Sequence, residues 1–178
     1  VETPRLVSFD SGGPFWQPSR VTELPPPDSH HLAAAKGWLD FRAYEDAARE
    51  VESIRPELRD HPAVLEIRWA LAANAGRWDE ALAISVQITQ LMPDKPEGWI
   101  YQGSALVELN RHADAHAILL QGHERFPHDE ILAYDLACVC CALGREDEAA
   151  EWTRKAIALA GDEMRKRAME DPDLERIH

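Results

Sequence analysis

Ala47, Ala81, Ala115 and Ala149 stand 34 residues apart, and each closes a similar tetrapeptide: Tyr44-Glu45-Asp46-Ala47, Trp78-Asp79-Glu80-Ala81, His112-Ala113-Asp114-Ala115 and Glu146-Asp147-Glu148-Ala149. A constant period of this length restricts the fold more than any composition can. The same supersecondary unit must be built four times, and no copy can bury its apolar face alone. Placing each alanine twentieth in its unit gives frames 28–61, 62–95, 96–129 and 130–163, which abut without insertion.

Further positions recur within these frames. The fourth holds Leu65 and Trp99, with His31 and Ala133 in the outer frames, and the eighth holds small residues at Ala35, Gly103 and Ala137. Trp69 departs from that rule and implies a wider helix spacing in the second frame. The eleventh reads Trp38, Ala72, Leu106 and Cys140. Gly76-Arg77, Asn110-Arg111 and Gly144-Arg145 suit the left-handed end of a helix, whereas Arg42 is a weaker match. Pro93 and Pro127 stop the second helices of two frames. Leu65, Trp69 and Ala72, and then Leu82, Val86, Ile88 and Leu91, follow the spacing of buried helical faces. Trp38, Leu65, Trp99 and Leu136 are the expected core anchors.

The period, the small residues and the turns together resemble the tetratricopeptide repeat (TPR). The resemblance implies an all-α, right-handed solenoid of four helix-turn-helix repeats, a reading that displaces a generic helical bundle. Among TPR proteins the first helix of each repeat lines a concave face. Carried onto this chain, the resemblance implies a partner-binding groove of Lys36, Leu39 and Asp40 in the first repeat, and Glu66 and Asn74 in the second. The third contributes Ile100, Ser104, Val107 and Glu108, with Glu97 beside them, and the fourth contributes Tyr134, Cys138 and Cys141. Of the cations that clamp a terminal carboxylate in some TPR domains only Lys36 matches, so a segment with apolar anchors and basic flanks is the better fit.

The ends differ from the repeats. Six of the twelve prolines fall in residues 1–27, together with Phe15-Trp16 and scattered aliphatic residues. A free linker normally lacks such apolar content. This segment is therefore expected to pack on the solenoid, with Trp16 as anchor, either capping the first repeat or lying in the groove. Pro25-Pro26-Pro27 should form an extended entry to a helix capped by Asp28 or Ser29. Residues 164–178 read as a C-terminal cap, with Met164 and Ala168 on one face and Leu174 and Ile177 on a short helix begun at Asp171-Pro172. Pro27 to Leu32, Gly37-Trp38-Leu39 and Asp171 to Glu175 also resemble the opening and ending of a group of small bacterial TPR proteins. That likeness implies the fold and a bacterial cytoplasm.

Charge and cysteine content narrow the function. A net charge of −13 repels phosphate backbones and anionic lipid, so nucleic acid and membrane surfaces are not expected partners. No apolar run approaches the roughly 20 residues of a membrane span, and no signal-peptide pattern is visible. The three cysteines crowd one helix at Cys138, Cys140 and Cys141, favouring free thiols and a reducing cytoplasm. No phosphate loop, nucleophile elbow or His-Glu-x-x-His run is present, so the chain is expected to be non-enzymatic and without a cofactor. The expectation is a TPR adaptor that binds a peptide or helix of another protein; a small acidic secretion chaperone is the alternative within that class. A metal or redox role would use Cys138 with Cys141, or His112 with His116. Partly buried structural histidines are the plainer reading of His112, His116 and His123.

Overall fold

A computed structural model describes residues 23–172 and Leu174. The packing expected of Phe15 and Trp16, and the docking of Ile177, fall outside the described residues. The described residues form α-helices and no strand. The helices are α1 (Asp28–Asp40), α2 (Tyr44–Ser53), α3 (Pro62–Asn74), α4 (Trp78–Leu91), α5 (Glu97–Glu108), α6 (His112–Arg125), α7 (Glu130–Ala142), α8 (Glu146–Ala160) and α9 (Asp162–Glu170). A short 3-10 turn, Pro56–Leu58, lies between α2 and α3. Ala47, Ala81, Ala115 and Ala149 all lie on second helices and are fully buried.

The same backbone device separates the helices of every repeat. Arg42, Gly76, Asn110 and Gly144 are left-handed, with φ of 57°, 68°, 58° and 72°. After three of them the next amide reaches back five residues: Ala43 to Trp38 (2.9 Å), Arg111 to Leu106 (2.8 Å) and Arg145 to Cys140 (2.9 Å). These bonds satisfy carbonyls that a helix end leaves without partners. Arg42 adopts the conformation although its Cβ disfavours it. Each second helix then opens on acids, such as Asp79 and Glu80 in α4 or Glu146, Asp147 and Glu148 in α8, facing the positive end of the helix dipole.

The chain divides into two compact units, residues 1–75 and 76–178, with the boundary in the turn of the second repeat. In the first unit, Leu24, Ala35, Val51, Ile54, Val64 and Ile67 form the core, flanked by Leu32, Leu39, Leu58 and Leu71. Asp28 does not cap α1. It is fully buried, and its carboxylate accepts the Arg55 amide N–H and the Arg55 Nε–H, each at 2.8 Å. The Arg55 amide, above all, holds the Asp28 carboxyl below the usual carboxylate range. The prolines before it make a turn, Ser29 N–H reaching Pro25 O, rather than an extended entry; Leu24 thereby joins the core. Trp38 is also corrected. It is 39% exposed, because Ala35 and Leu39, four residues apart, are the positions of α1 that face the core, and Trp38 lies one step around the helix.

The second unit has two apolar clusters. Leu106, Ala115, Leu119, Leu132, Leu136 and Val139 form one, with Trp99 and Ile100 against it. The other joins Ala133, Tyr134, Ala137, Cys140, Cys141, Ala149 and Ala156 to Met164, Ala168 and Leu174. Met164, Ala168 and Leu174, expected on the apolar side of the fourth repeat, are buried in that cluster. The buried stripe of α4 is Ala81, Ile84, Ser85 and Ile88; Val86 and Leu91, expected in the core, are exposed because they sit off that stripe. Close crossings rely on glycine. A Cβ on Gly98 would lie 2.3 Å from Thr89 Oγ1 and 2.7 Å from the Thr89 amide nitrogen. Beside it, Gln102 donates Nε2–H to Thr89 Oγ1 at 2.7 Å, and Thr89 donates to Ser85 O.

Candidate functional site

The residues implied by the resemblance sort into three environments. Lys36, Asp40 and Asn74 are exposed on α1 and α3, whereas Leu39 and Glu66 are half-buried, Leu39 being part of the first unit's core flank. On α5 of the second unit, Ile100, Ser104, Val107 and Glu108 are half-buried. Ser104 donates its hydroxyl to Ile100 O at 3.0 Å, bonding back to the preceding turn of its own helix. Ile100 and Val107 keep part of their apolar surface accessible while supporting the core behind them.

The fourth repeat requires a correction. Tyr134 and Cys141 are each 2% exposed, and Cys138 is half-buried against the same cluster. Tyr134 and Cys141 therefore offer almost no accessible surface, whereas Cys138 keeps part of its own. Met164, Ala168 and Leu174 share their cluster, Arg167 lies over the Tyr134 ring at 4.4 Å, and the Tyr134 hydroxyl donates to Asp171. α9 and Leu174 thus cover apolar side chains of the fourth repeat.

A further feature of α5 and α7 has no counterpart among the sequence expectations. Asp135 on α7 has a buried carboxylate oxygen, Oδ2, with no hydrogen-bond partner, and so does Glu97 on the neighbouring helix α5. Burial pushes the Asp135 carboxyl up to about 7, reinforced by Asp129 and Asp171 and opposed by Arg167. Asp129 caps α7 by accepting the Leu132 amide at 2.9 Å, and burial raises its carboxyl too, with Glu97 and Glu130 adding to the rise. Helices α5 and α7 thus each carry a buried acid oxygen without a partner, and α5 also carries the half-buried Ile100 and Val107. The signal in the sequence was an acid inside the run Ile131-Leu132-Ala133-Tyr134-Asp135-Leu136-Ala137, where helical periodicity offers it no solvent stripe.

The cysteines and histidines weighed for metal or redox chemistry occupy different settings. All three cysteines are free thiols. His123 is buried edge-on against Trp152 with ring centroids 4.9 Å apart, and neither ring nitrogen has a hydrogen-bond partner. Burial pushes its imidazole below the usual histidine range, Lys155 adding to the effect. His112 has a buried Nδ1 without a partner, while His116 Nε2 turns to Glu148 Oε1 at 3.1 Å on α8. The fold thus brings His116 to another helix's carboxylate.

No protein-family model matches this sequence, and no curated protein matches it. Among solved structures the chain is similar to TTC0263, a thermophilic TPR protein of Thermus thermophilus, with a TM-score of 0.70 and 18% identity over 84% of this chain and 80% of that one. It is similar to MamA at a TM-score of 0.63 and 16% identity, over 75% of this chain and 73% of that one. MamA 41-end from Desulfovibrio magneticus RS-1 gives a TM-score of 0.65 and 16% identity, over 86% of this chain and 90% of that one. At such identities the likeness is one of fold, and the fold is the TPR-type helical repeat.

Proposed function

We propose that the chain is a non-enzymatic interaction module that takes a segment of another protein on the inner helices of its second unit. The segment would lay apolar anchors against Ile100 and Val107 and direct a lysine or arginine towards Glu97 and Asp135. The observation that carries this reading is the pair of buried, unpartnered carboxylate oxygens on neighbouring inner helices. Such groups are costly in isolation and are relieved by a cation that brings its own hydrogen bonds. A net charge of −13 favours encounter with a basic segment and disfavours nucleic acid or anionic lipid as the partner. Among the described residues no helix is long and apolar enough to cross a membrane. We propose a cytoplasmic setting on the strength of the free thiols.

The test is a peptide array in which apolar anchors are held constant and the flanking charge is varied. Basic-flanked peptides should be retained and acidic-flanked ones lost. Glu97→Gln and Asp135→Asn should each weaken retention and flatten its salt dependence. Retention indifferent to peptide charge and to both substitutions would refute this reading.

A further inference from the structure

His116 on α6, Cys140 on α7 and Glu148 on α8 converge from three helices. One ligand atom of each (a ring nitrogen, Sγ and a carboxylate oxygen) lies within 4.8 Å of the other two. Their placement follows from the repeat. His116 and Glu148 each adjoin one of the regularly spaced alanines, Ala115 and Ala149, and Cys140 occupies the eleventh position of the fourth repeat, where the chain is fully buried. The cluster is closed on the Cys140 side and opens towards Glu148: the His116 and Glu148 side chains are 14% and 38% exposed.

The donor types and spacing suit one kind of ion. Tetrahedral zinc takes thiolate, imidazole and carboxylate at about 2.0–2.3 Å, which puts neighbouring ligand atoms roughly 3.3–3.8 Å apart. The His116–Glu148 separation of 3.1 Å is already close to that, and a small rotamer adjustment brings in the thiol. Calcium and magnesium want oxygen alone, so the thiol and imidazole select a softer cation. Glu148 is also oriented from outside the cluster: Oε1 faces His116, and Arg145 donates to Oε2 at 3.5 Å. Partners that orient a ligand in this way are a usual part of metal sites.

We propose that His116, Cys140 and Glu148 bind one zinc-class divalent cation, with a fourth, solvent-facing position for water. In the metal-free state burial pushes the Cys140 thiol up to about 12, with the Glu148 charge and hydrogen bond adding to it, Arg145 opposing and Cys141 a minor contributor. The thiol is therefore protonated, and its proton stands where the cation would go. Binding breaks the S–H bond, forms a sulfur–metal bond and releases that proton to solvent. His116 coordinates through Nε2 in the tautomer protonated at Nδ1. No electron transfer is involved. The ion would tie α6, α7 and α8 together and couple the stability of the second unit to metal supply. This site is distinct from the peptide-binding reading and shares no residue with it.

The full chain, purified without a metal-affinity tag and stripped with a chelator, is titrated with cobalt(II). The expected result is about one cobalt per chain, thiolate-to-cobalt charge transfer in the near ultraviolet, strong visible bands of a tetrahedral site and a raised melting temperature. Cys140→Ser should abolish the charge-transfer band and Cys138→Ser should leave it. Glu148→Gln, at the solvent-facing side, should fold and weaken binding about tenfold or more. Should Cys140→Ser not fold, cobalt must slow alkylation of Cys140 in the unaltered chain held in urea near its unfolding midpoint, where the metal-free thiol becomes accessible, as read by mass spectrometry. No charge-transfer band, or one that survives Cys140→Ser, or one lost with Cys138→Ser, would overturn the proposal.

Discussion

Asp135 shows how much one side chain can conflict with its surroundings. Burial raises its carboxyl from 3.8 to about 7, so the folded chain holds a proton that the unfolded chain has already released. The folded state then loses stability as pH rises from about 4 to about 7 and loses no more above that. Asp135→Asn should therefore leave stability unchanged near pH 4 and raise it by about 1–2 kcal/mol at pH 8, after allowance for partial solvent screening. Urea unfolding of both forms at the two pH values checks the sign. Arg42 presents the opposite case, a strained backbone whose side chain is dispensable. With φ at 57°, Arg42→Gly should raise the unfolding free energy by about 0.5–1 kcal/mol, measured by the denaturation midpoint. Of these two, the turn at Arg42 follows from the repeat, and the apolar run around Asp135 signals its burial; that its oxygen is orphaned depends on what packs around α7.

Elements meet through contacts that a periodic pattern shows only in part. Gly103, at the eighth position of its frame, is legible as a close crossing: a Cβ there would lie 2.5 Å from the Leu119 side chain. Gly98 carries no comparable signal, yet its Cβ would meet the Thr89 backbone, which cannot rotate away. Gly98→Ala should force α4 from α5 and cost about 1–3 kcal/mol, read as a lowered melting midpoint. Trp99 lies edge-on to Phe126 with ring centroids 5.5 Å apart. Being half-buried, it should cost about 3 kcal/mol when truncated to alanine, at the low end for large core aromatics. A midpoint within error of the unaltered chain would remove Trp99 from the core. Trp38, Val86 and Leu91 depart from their expected burial for a shared reason. Spacing of three and four identifies a stripe on a helix, but neighbouring stripes one residue apart fit the same pattern until a packing partner selects one.

At the scale of the whole molecule, burial of Tyr134 and Cys141 depends on the C-terminal residues that share their cluster. Removing residues 162–178 strips Met164, Ala168 and Leu174 from the cluster that contains Tyr134 and Cys141. Each large buried apolar side chain is worth roughly 1.5–3 kcal/mol. The truncated chain should melt lower, and Cys141 should react with a thiol reagent at least as fast as half-buried Cys138 does in the full chain. Unchanged Cys141 reactivity would show that another element covers it.

The four alanines, the left-handed turns and the acids opening each second helix are local features, and local features repeat in sequence at the period of the unit that needs them. That is why helix order and repeat type could be read before any coordinate. Other meetings span elements. Asp28 and Arg55 are 27 positions apart, Tyr134 and Asp171 are 37 apart, and His116, Cys140 and Glu148 come from three different helices. Such meetings depend on how far each helix is rotated and which neighbour it lies against. Those variables are set by packing between elements, and only the tertiary structure decided them.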